Sequence, residues 1–252
     1  MNILAVNDDG INAKGIYKLV EALSGVADVY VSAPHTQRSG NSHCISVGAP
    51  IEVKEVDFDN AKLAFETTGT PADCVKLGLK LLADKGIKID MVFAGINHGC
   101  NLGTDTIYSG TVSAAAEGCF KKIPSVAVSV ESHDAEHFEY ACELAVGVLQ
   151  KGYGKFDYST VININTPNLP KDEIKGVKFV KLGPREYKET YEVAEEGKPV
   201  YMYSGVPVYY ERDFDDFDSI PVQNGYAVIT PIQYDLTDYK VLEDIRNWRI
   251  EG

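Results

Sequence analysis

No stretch of this sequence approaches the roughly 20 consecutive apolar residues that a bilayer span requires, so a membrane partner is not expected. Basic residues are also scarce: 24 Lys and Arg stand against 37 Asp and Glu, for a formal net charge of −13. A long nucleic acid needs contiguous Lys/Arg surface, and this balance argues against one. The five cysteines, Cys44, Cys74, Cys100, Cys119 and Cys142, are odd in number and show neither a CxxC pair nor a Cys/His zinc spacing. They read as buried free thiols, with only Cys100 expected to be exposed and reactive. No GxGxxG follows the first apolar run, which argues against a dinucleotide-dependent oxidoreductase. The start, Met1-Asn2-Ile3-Leu4, lacks a basic leader region and enters a strand directly, so the expected location is cytoplasmic. The 44% hydrophobic and 24% charged fractions are those of a globular chain able to bury a core.

Two adjacent carboxylates dominate what is present. Asn7-Asp8-Asp9-Gly10 directly follows the run Ile3-Leu4-Ala5-Val6, at the C-terminal end of a first strand, where open α/β sheets place their ligands. Asp8 and Asp9 repel each other unless a cation or a proton intervenes, and magnesium or manganese prefers such oxygen ligands. Successive strand residues point to opposite faces, so both reach one ion only where the strand turns, and Gly10 permits that turn. A solvated loop in which Asp caps the next helix fits the pair alone equally well.

Other segments decide between the two. Asn12 to Ser24 has helical spacing, Asp28 to Ala33 is a second strand, and Pro34 ends it ahead of a polar loop in which Ser39 can bring a hydroxyl to the ion. Ile45 to Phe65 reads as weak strands or hairpins, and Thr70-Pro71-Ala72-Asp73 as a helix start in which Asp73 is structural. That helix is expected to bury Val75, Leu77, Leu79, Leu81 and Leu82. The strand Asp90 to Ala94 runs into a loop, Gly95 to Gly103, where Asn97 offers a carbonyl oxygen to a cation and Asn101 an amide to a phosphate oxygen. Tyr108-Ser109-Gly110-Thr111-Val112 opens a small-residue helix whose first turn presents free N–H groups, hydroxyls and the positive dipole end to an anion. Capping alone also explains Ser109 and Thr111. The combination of carboxylates, Ser loop, Asn loop and amide-rich helix start describes a metal plus a phosphate.

Ser125 to Val130 and Val161 to Asn165 add strands around a helix from about Ala135 to Leu149, giving about six strands in a mostly parallel core. His133 and His137, four apart, are weak metal candidates. From about Val177 the texture changes: Tyr187, Tyr191, Tyr201, Tyr203, Tyr209 and Tyr210 alternate with polar residues around turns at Glu196-Gly197 and Ser204-Gly205. Isolated hairpins are marginal in water, so this arm reads as an oligomerisation element. Asp213, Asp215, Asp216 and Asp218 read as solvated loop, and Val241 to Ile250 as a short amphipathic helix with the single Trp, Trp248. The expected fold is α/β, a Rossmann-like mostly parallel sheet flanked by helices, divided into a core (1–176), a β-hairpin arm (177–225) and a strand and helix returning to the core (226–252).

These residues, taken in order, resemble the SurE family of metal-dependent nucleotidases. The matching segments are Asn7 to Gly10, Arg38-Ser39-Gly40, Gly69 to Val75, Gly95-Ile96-Asn97 through Asn101-Leu102-Gly103, Tyr108 to Val112, Asn163-Ile164-Asn165 and Ile229-Thr230-Pro231. The resemblance implies one divalent ion (Mg²⁺ or Mn²⁺) held by Asp8, Asp9, Ser39 and Asn97, and phosphate contacts from Asn101, Ser109, Gly110 and Thr111. It further implies a phosphomonoesterase acting on nucleoside monophosphates, with 3′-nucleotides and short polyphosphate as possible further substrates, and a homodimer or homotetramer built through the arm. The chain departs from the family where Gly-Thr-Asp often precedes the last strand: here the residues are Asp216-Phe217-Asp218. Asp8 and Asp9 are the candidate catalytic residues, one orienting the attacking water as general base or, in a rival mechanism, attacking directly. A receiver-like regulatory module also holds Mg²⁺ with an acidic pair, but does not account for the Asn97 and Ser109 segments.

Overall fold

The apolar runs become the inner strands of one sheet. A computed structural model describes residues 1–208 and 216–248. The chain runs through β1 (Asn2–Val6), α1 (Lys14–Ser24), β2 (Asp28–Pro34), β3 (Val53–Val56), β4 (Leu63–Thr67), α2 (Pro71–Asp84) and β5 (Met91–His98). A 3₁₀ turn, Gly103–Ile107, leads into α3 (Gly110–Phe120), β6 (Ser125–Glu131), α4 (Glu139–Gly152) and β7 (Thr160–Pro167). After a second 3₁₀ turn at Lys171–Glu173 come β8 (Val177–Phe179), β9 (Glu186–Val193), β10 (Tyr201–Val208), α5 (Ser219–Gln223), β11 (Ala227–Gln233) and α6 (Tyr239–Ile245).

Nine strands pair in the order β3-β4-β2-β1-β5-β6-β7-β11-β8. The six from β4 to β7 are mutually parallel, as expected, while β3 and β11 run antiparallel to their inner neighbours. Both faces are covered, so the inner strands read as continuous apolar runs. Ile3 and Ala5 pack with Ile16, Leu19 and Leu23 of α1 and with Ala141 and Ala145 of α4, whereas Leu4 and Val6 face Val75 and Leu82 of α2 and Ala114 to Ala116 of α3. The chain places β2 on one side of β1 and β5 on the other. The crevice beyond these strands' C-terminal ends is therefore the topological switch point where such sheets bind ligands.

Several expectations shift. In α2 the predicted cap holds, with Thr70 and Asp73 forming a reciprocal capping box, but Leu77, Leu79 and Leu81 are only partly buried. Helix α4 starts at Glu139, so His133 and His137 precede it and share no helix face. β8 pairs with β11 at the edge of the main sheet rather than projecting, so the projecting segment is the β9–β10 hairpin and begins later than residue 177. Ser204-Gly205 lies inside β10, opposite Thr190 and Glu189, and is no turn. Tyr209, Tyr210, Asp213, Asp215 and Ile250 lie outside the described residues. Helix α6 buries none of its residues and ends at Ile245, leaving Trp248 exposed beyond it. Among the described residues no helix is long and apolar enough to cross a membrane.

Candidate active site

β1 delivers both carboxylates to the switch point. Gly10 adopts φ +104°, a conformation that side chains disfavour, and the Asn7 amide donates to the Gly10 carbonyl at 2.8 Å to close the turn. Asp8 is buried and Asp9 half-buried. The Thr111 hydroxyl donates to Asp8 Oδ1 at 2.5 Å. Asp9 accepts from the His98 backbone N–H at 3.1 Å and from the Gln37 amide at 3.2 Å. Burial pushes the Asp8 carboxyl up to about 6, the Thr111 hydrogen bond opposing the rise and the charge of Asp9 adding to it. Burial likewise raises Asp9, against the His98 N–H. No Lys or Arg among the described residues pairs with either carboxylate.

Ser39 is drawn to the pair from the loop after β2. The Arg38 backbone N–H donates to the Asp8 carbonyl at 2.7 Å, and Gln37 Nε2 donates to Ser39 Oγ at 2.9 Å as well as to Asp9. Gln37 thus links two of the expected metal ligands, a role that sequence reasoning missed because nothing marks a glutamine in a polar loop. From the other side comes α3. Ser109 is its N-cap and accepts from the Val112 N–H at 3.0 Å, while Gly110 lies so close to Asp8 that an added Cβ would sit 2.7 Å from Oδ2. Two proposed phosphate residues therefore touch a proposed metal ligand directly: Thr111 through its hydroxyl, Gly110 through its bare Cα.

Asn97 lies in β5 itself rather than in the loop expected there, because a register shift between Ala94 and Asn97 lets the strand resume pairing with β6. Its amide nitrogen donates to the Gly99 carbonyl at 2.7 Å, leaving the side-chain oxygen as the group available to a cation. Asn101 is embedded in a buried net. Its N–H donates to Asn165 Oδ1 (2.8 Å), its side-chain amide to Ser129 Oγ (2.8 Å), and its carbonyl accepts from Asn163 (2.9 Å). One side-chain N–H expected to meet phosphate is therefore engaged with Ser129. Asn163 and Asn165 alternate on one strand face, and two buried amides in an apolar strand require partners, a signal that was available.

The largest correction concerns Asp218. Expected in solvated loop, it is buried, accepting from the Gly103 N–H at 2.7 Å and the Gly183 N–H at 3.1 Å, and burial raises its pKa. Asp216 does stay exposed, paired with Lys181. Cysteine exposure is also reassigned: Cys44 is exposed, whereas burial raises the Cys100 thiol well above its ordinary value. All five thiols are free.

The donors fit a hard divalent cation, since two carboxylates, an amide oxygen and a hydroxyl are all oxygen ligands. Two of them are neutral, consistent with no group of three or more His, Cys, Asp or Glu converging among the described residues. The model of a family described as Survival protein SurE matches residues 3–189. A 5′-nucleotidase SurE of Syntrophomonas wolfei is 42% identical over 249 residues, covering 98% of this chain and 94% of that protein. One of Petrotoga mobilis is 39% identical over 251 residues, covering 98% and 99%. The crystal structure of the SurE protein from Aquifex aeolicus superposes with a TM-score of 0.84 at 37% identity, covering 98% of both chains.

Proposed function

Because the chain belongs to the SurE family, we propose that it is a 5′-nucleotidase, a divalent-metal-dependent phosphomonoesterase that hydrolyses nucleoside monophosphates to nucleoside and phosphate. The observation that carries the reading is the contact between the buried carboxylate Asp8 and the first turn of α3, a cation-seeking group against an anion-seeking one. Asp8, Asp9, Ser39 and Asn97 would hold one Mg²⁺ or Mn²⁺. Such an ion would supply Lewis-acid polarisation of the phosphoryl oxygens. The N–H groups of the first turn of α3, at Gly110 and Thr111 beside the Ser109 N-cap, would receive the phosphate and stabilise the charge that develops on it, with Asn101 holding the adjoining loop. Attack of a water oxygen on phosphorus breaks the ester P–O bond, and the departing nucleoside oxygen takes up a proton from solvent to leave as the hydroxyl. The water's own proton passes to a carboxylate oxygen of the Asp8–Asp9 pair acting as general base, and from there to solvent.

We further propose assembly into a homodimer or homotetramer through the β9–β10 hairpin, and a cytoplasmic location, which the five unpaired thiols favour. The test is phosphate release from 5′- and 3′-nucleoside monophosphates and short polyphosphate, with Mg²⁺ or Mn²⁺ added back after chelation. Turnover is expected only with metal and is expected to fall at least 10²-fold, by analogy with loss of a single transition-state stabilising group, in Asp8→Asn and Asp9→Asn. Full turnover in excess chelator overturns the reading.

A further inference from the structure

The opposite end of the sheet carries a cleft that the chemistry above does not use. Because β5 and β6 are parallel neighbours and α2 and α3 cover the same face of the sheet, the connections returning each helix to its strand lie side by side. They meet at the N-terminal ends of those strands, away from the crevice that holds Asp8 and Asp9. A cleft of about 830 Å³ opens there, within the roughly 300–1,000 Å³ of small-molecule sites.

In a chain of net charge −13, this lining has the opposite sign: Lys76, Lys80, Lys88, Lys121 and Lys122 stand against one carboxylate, Asp90. That carboxylate is engaged, accepting from the Asn2 N–H at 2.8 Å. Lys76 pairs with Glu117 at 3.2 Å and Lys80 with Asp84 at 2.6 Å, while Lys88, Lys121 and Lys122 enter no ion pair among the described residues. Lysines that follow a helix ordinarily serve its open carbonyls. Here those carbonyls already have partners: Leu82 accepts from the Lys85 and Ile87 N–H groups and Ala83 from Gly86, while Gly118 accepts from Ile123 and Cys119 from Lys122. The ammonium groups are not consumed there. Apolar side chains supply much of the remaining wall, with Leu79, Ile87, Ile123 and Pro124 each partly buried.

We infer that this cleft binds a small phosphorylated ligand with an apolar or planar body, its phosphates on Lys88, Lys121 and Lys122 and its body on Leu79, Ile87 and Ile123. A cleft lined by one sign of charge concentrates the opposite charge, and phosphate oxygens accept charge-assisted hydrogen bonds from ammonium groups. The apolar wall gains only if the ligand has something to lay on it.

The probe is ATP, with tripolyphosphate as a polyanion lacking the body, titrated by calorimetry in excess chelator so that the proposed metal-dependent chemistry does not intervene. ATP is expected to bind the wild-type protein more tightly than tripolyphosphate does, and to weaken as salt is added. Its affinity is expected to fall by about tenfold or more in the triple variant Lys88→Gln, Lys121→Gln, Lys122→Gln, whose three exposed positions leave the core untouched. Hydrogen exchange on the wild-type protein then locates the ligand, with protection expected at residues 85–90 and 121–124. Failure of ATP to bind the wild-type protein, unchanged binding in the triple variant, or protection confined to residues 109–112 overturns the site. Equal affinity for tripolyphosphate overturns the class of ligand. None of these readouts requires turnover, so they stand or fall apart from the nucleotidase reading.

Discussion

Thr111 illustrates how a single hydroxyl ties two halves of the proposed site together. Its proton goes to Asp8 at 2.5 Å, so its first effect is on that carboxylate and only then on a substrate. The bond lowers an Asp8 pKa that burial has raised to about 6. Thr111→Val removes the lowering contribution, so in the metal-free protein ionisation of Asp8 is expected to require a higher pH than in the wild type. Carboxyl titration of the two metal-free proteins by NMR checks this, and an unchanged Asp8 titration would refute it. From the sequence, Gly110 is expected only as a phosphate contact, with no part in holding the metal ligands. The 2.7 Å approach to Asp8 Oδ2 changes that expectation: Gly110→Ala should weaken Mn²⁺ affinity and turnover together, measurable by isothermal titration and phosphate release on one sample. The place of the carboxylate pair was legible because an apolar run ending in a glycine turn marks the end of a strand, whereas a metal-holding role needed the Ser39, Asn97 and Ser109 segments as well. The Gly110 contact was not, because it joins residues from separate elements that no local pattern relates.

Among the elements, the loop from Gly99 to Gly103 is held from two directions, by the asparagines of β7 and by Asp218 just ahead of α5. Asp218→Ala would leave the Gly103 and Gly183 amides without their acceptor, at a cost of about 2–4 kcal/mol in unfolding free energy. Asp218→Asn, which keeps an acceptor oxygen, should cost less. Urea unfolding of both variants gives the comparison, with an unchanged midpoint in Asp218→Ala refuting the clamp. Asp218 was hidden in the sequence because it belongs to a run of aspartates of which one sinks and another, Asp216, stays in solvent with Lys181. Which one is buried is set by amides far away in the chain. β8 was misassigned for a related reason: a three-residue strand at a sheet edge has the same alternation as a strand in a free hairpin, and only its pairing with β11 separates them. The inner strands were legible as continuous apolar runs and α1 by its helical spacing, whereas α2 and α3 were legible from their N-caps, Thr70 and Ser109.

For the molecule as a whole, the hairpin stands apart from the main sheet: among the described residues its two strands pair only with each other. Replacing residues 188–206 with a short Gly/Ser turn is expected to lower the oligomeric state and to leave the nine-stranded sheet folded. Sedimentation velocity together with a thermal melt checks both, and an unchanged sedimenting mass would remove the hairpin from the assembly. The central place of β1 has a further consequence, for the order in which the protein is made. β1 is synthesised before every strand it pairs with, yet it lies between β2 and β5. Asp9 acquires its backbone donor only once His98 exists, Asp8 its hydroxyl partner only with Thr111, and Gly103 its acceptor only with Asp218, 115 residues further on. The proposed metal and phosphate residues are thus all made by Thr111, but the clamp on their loop waits for Asp218, so at translation speeds of about 5–20 residues per second the ligands precede their last support by roughly 5–20 s.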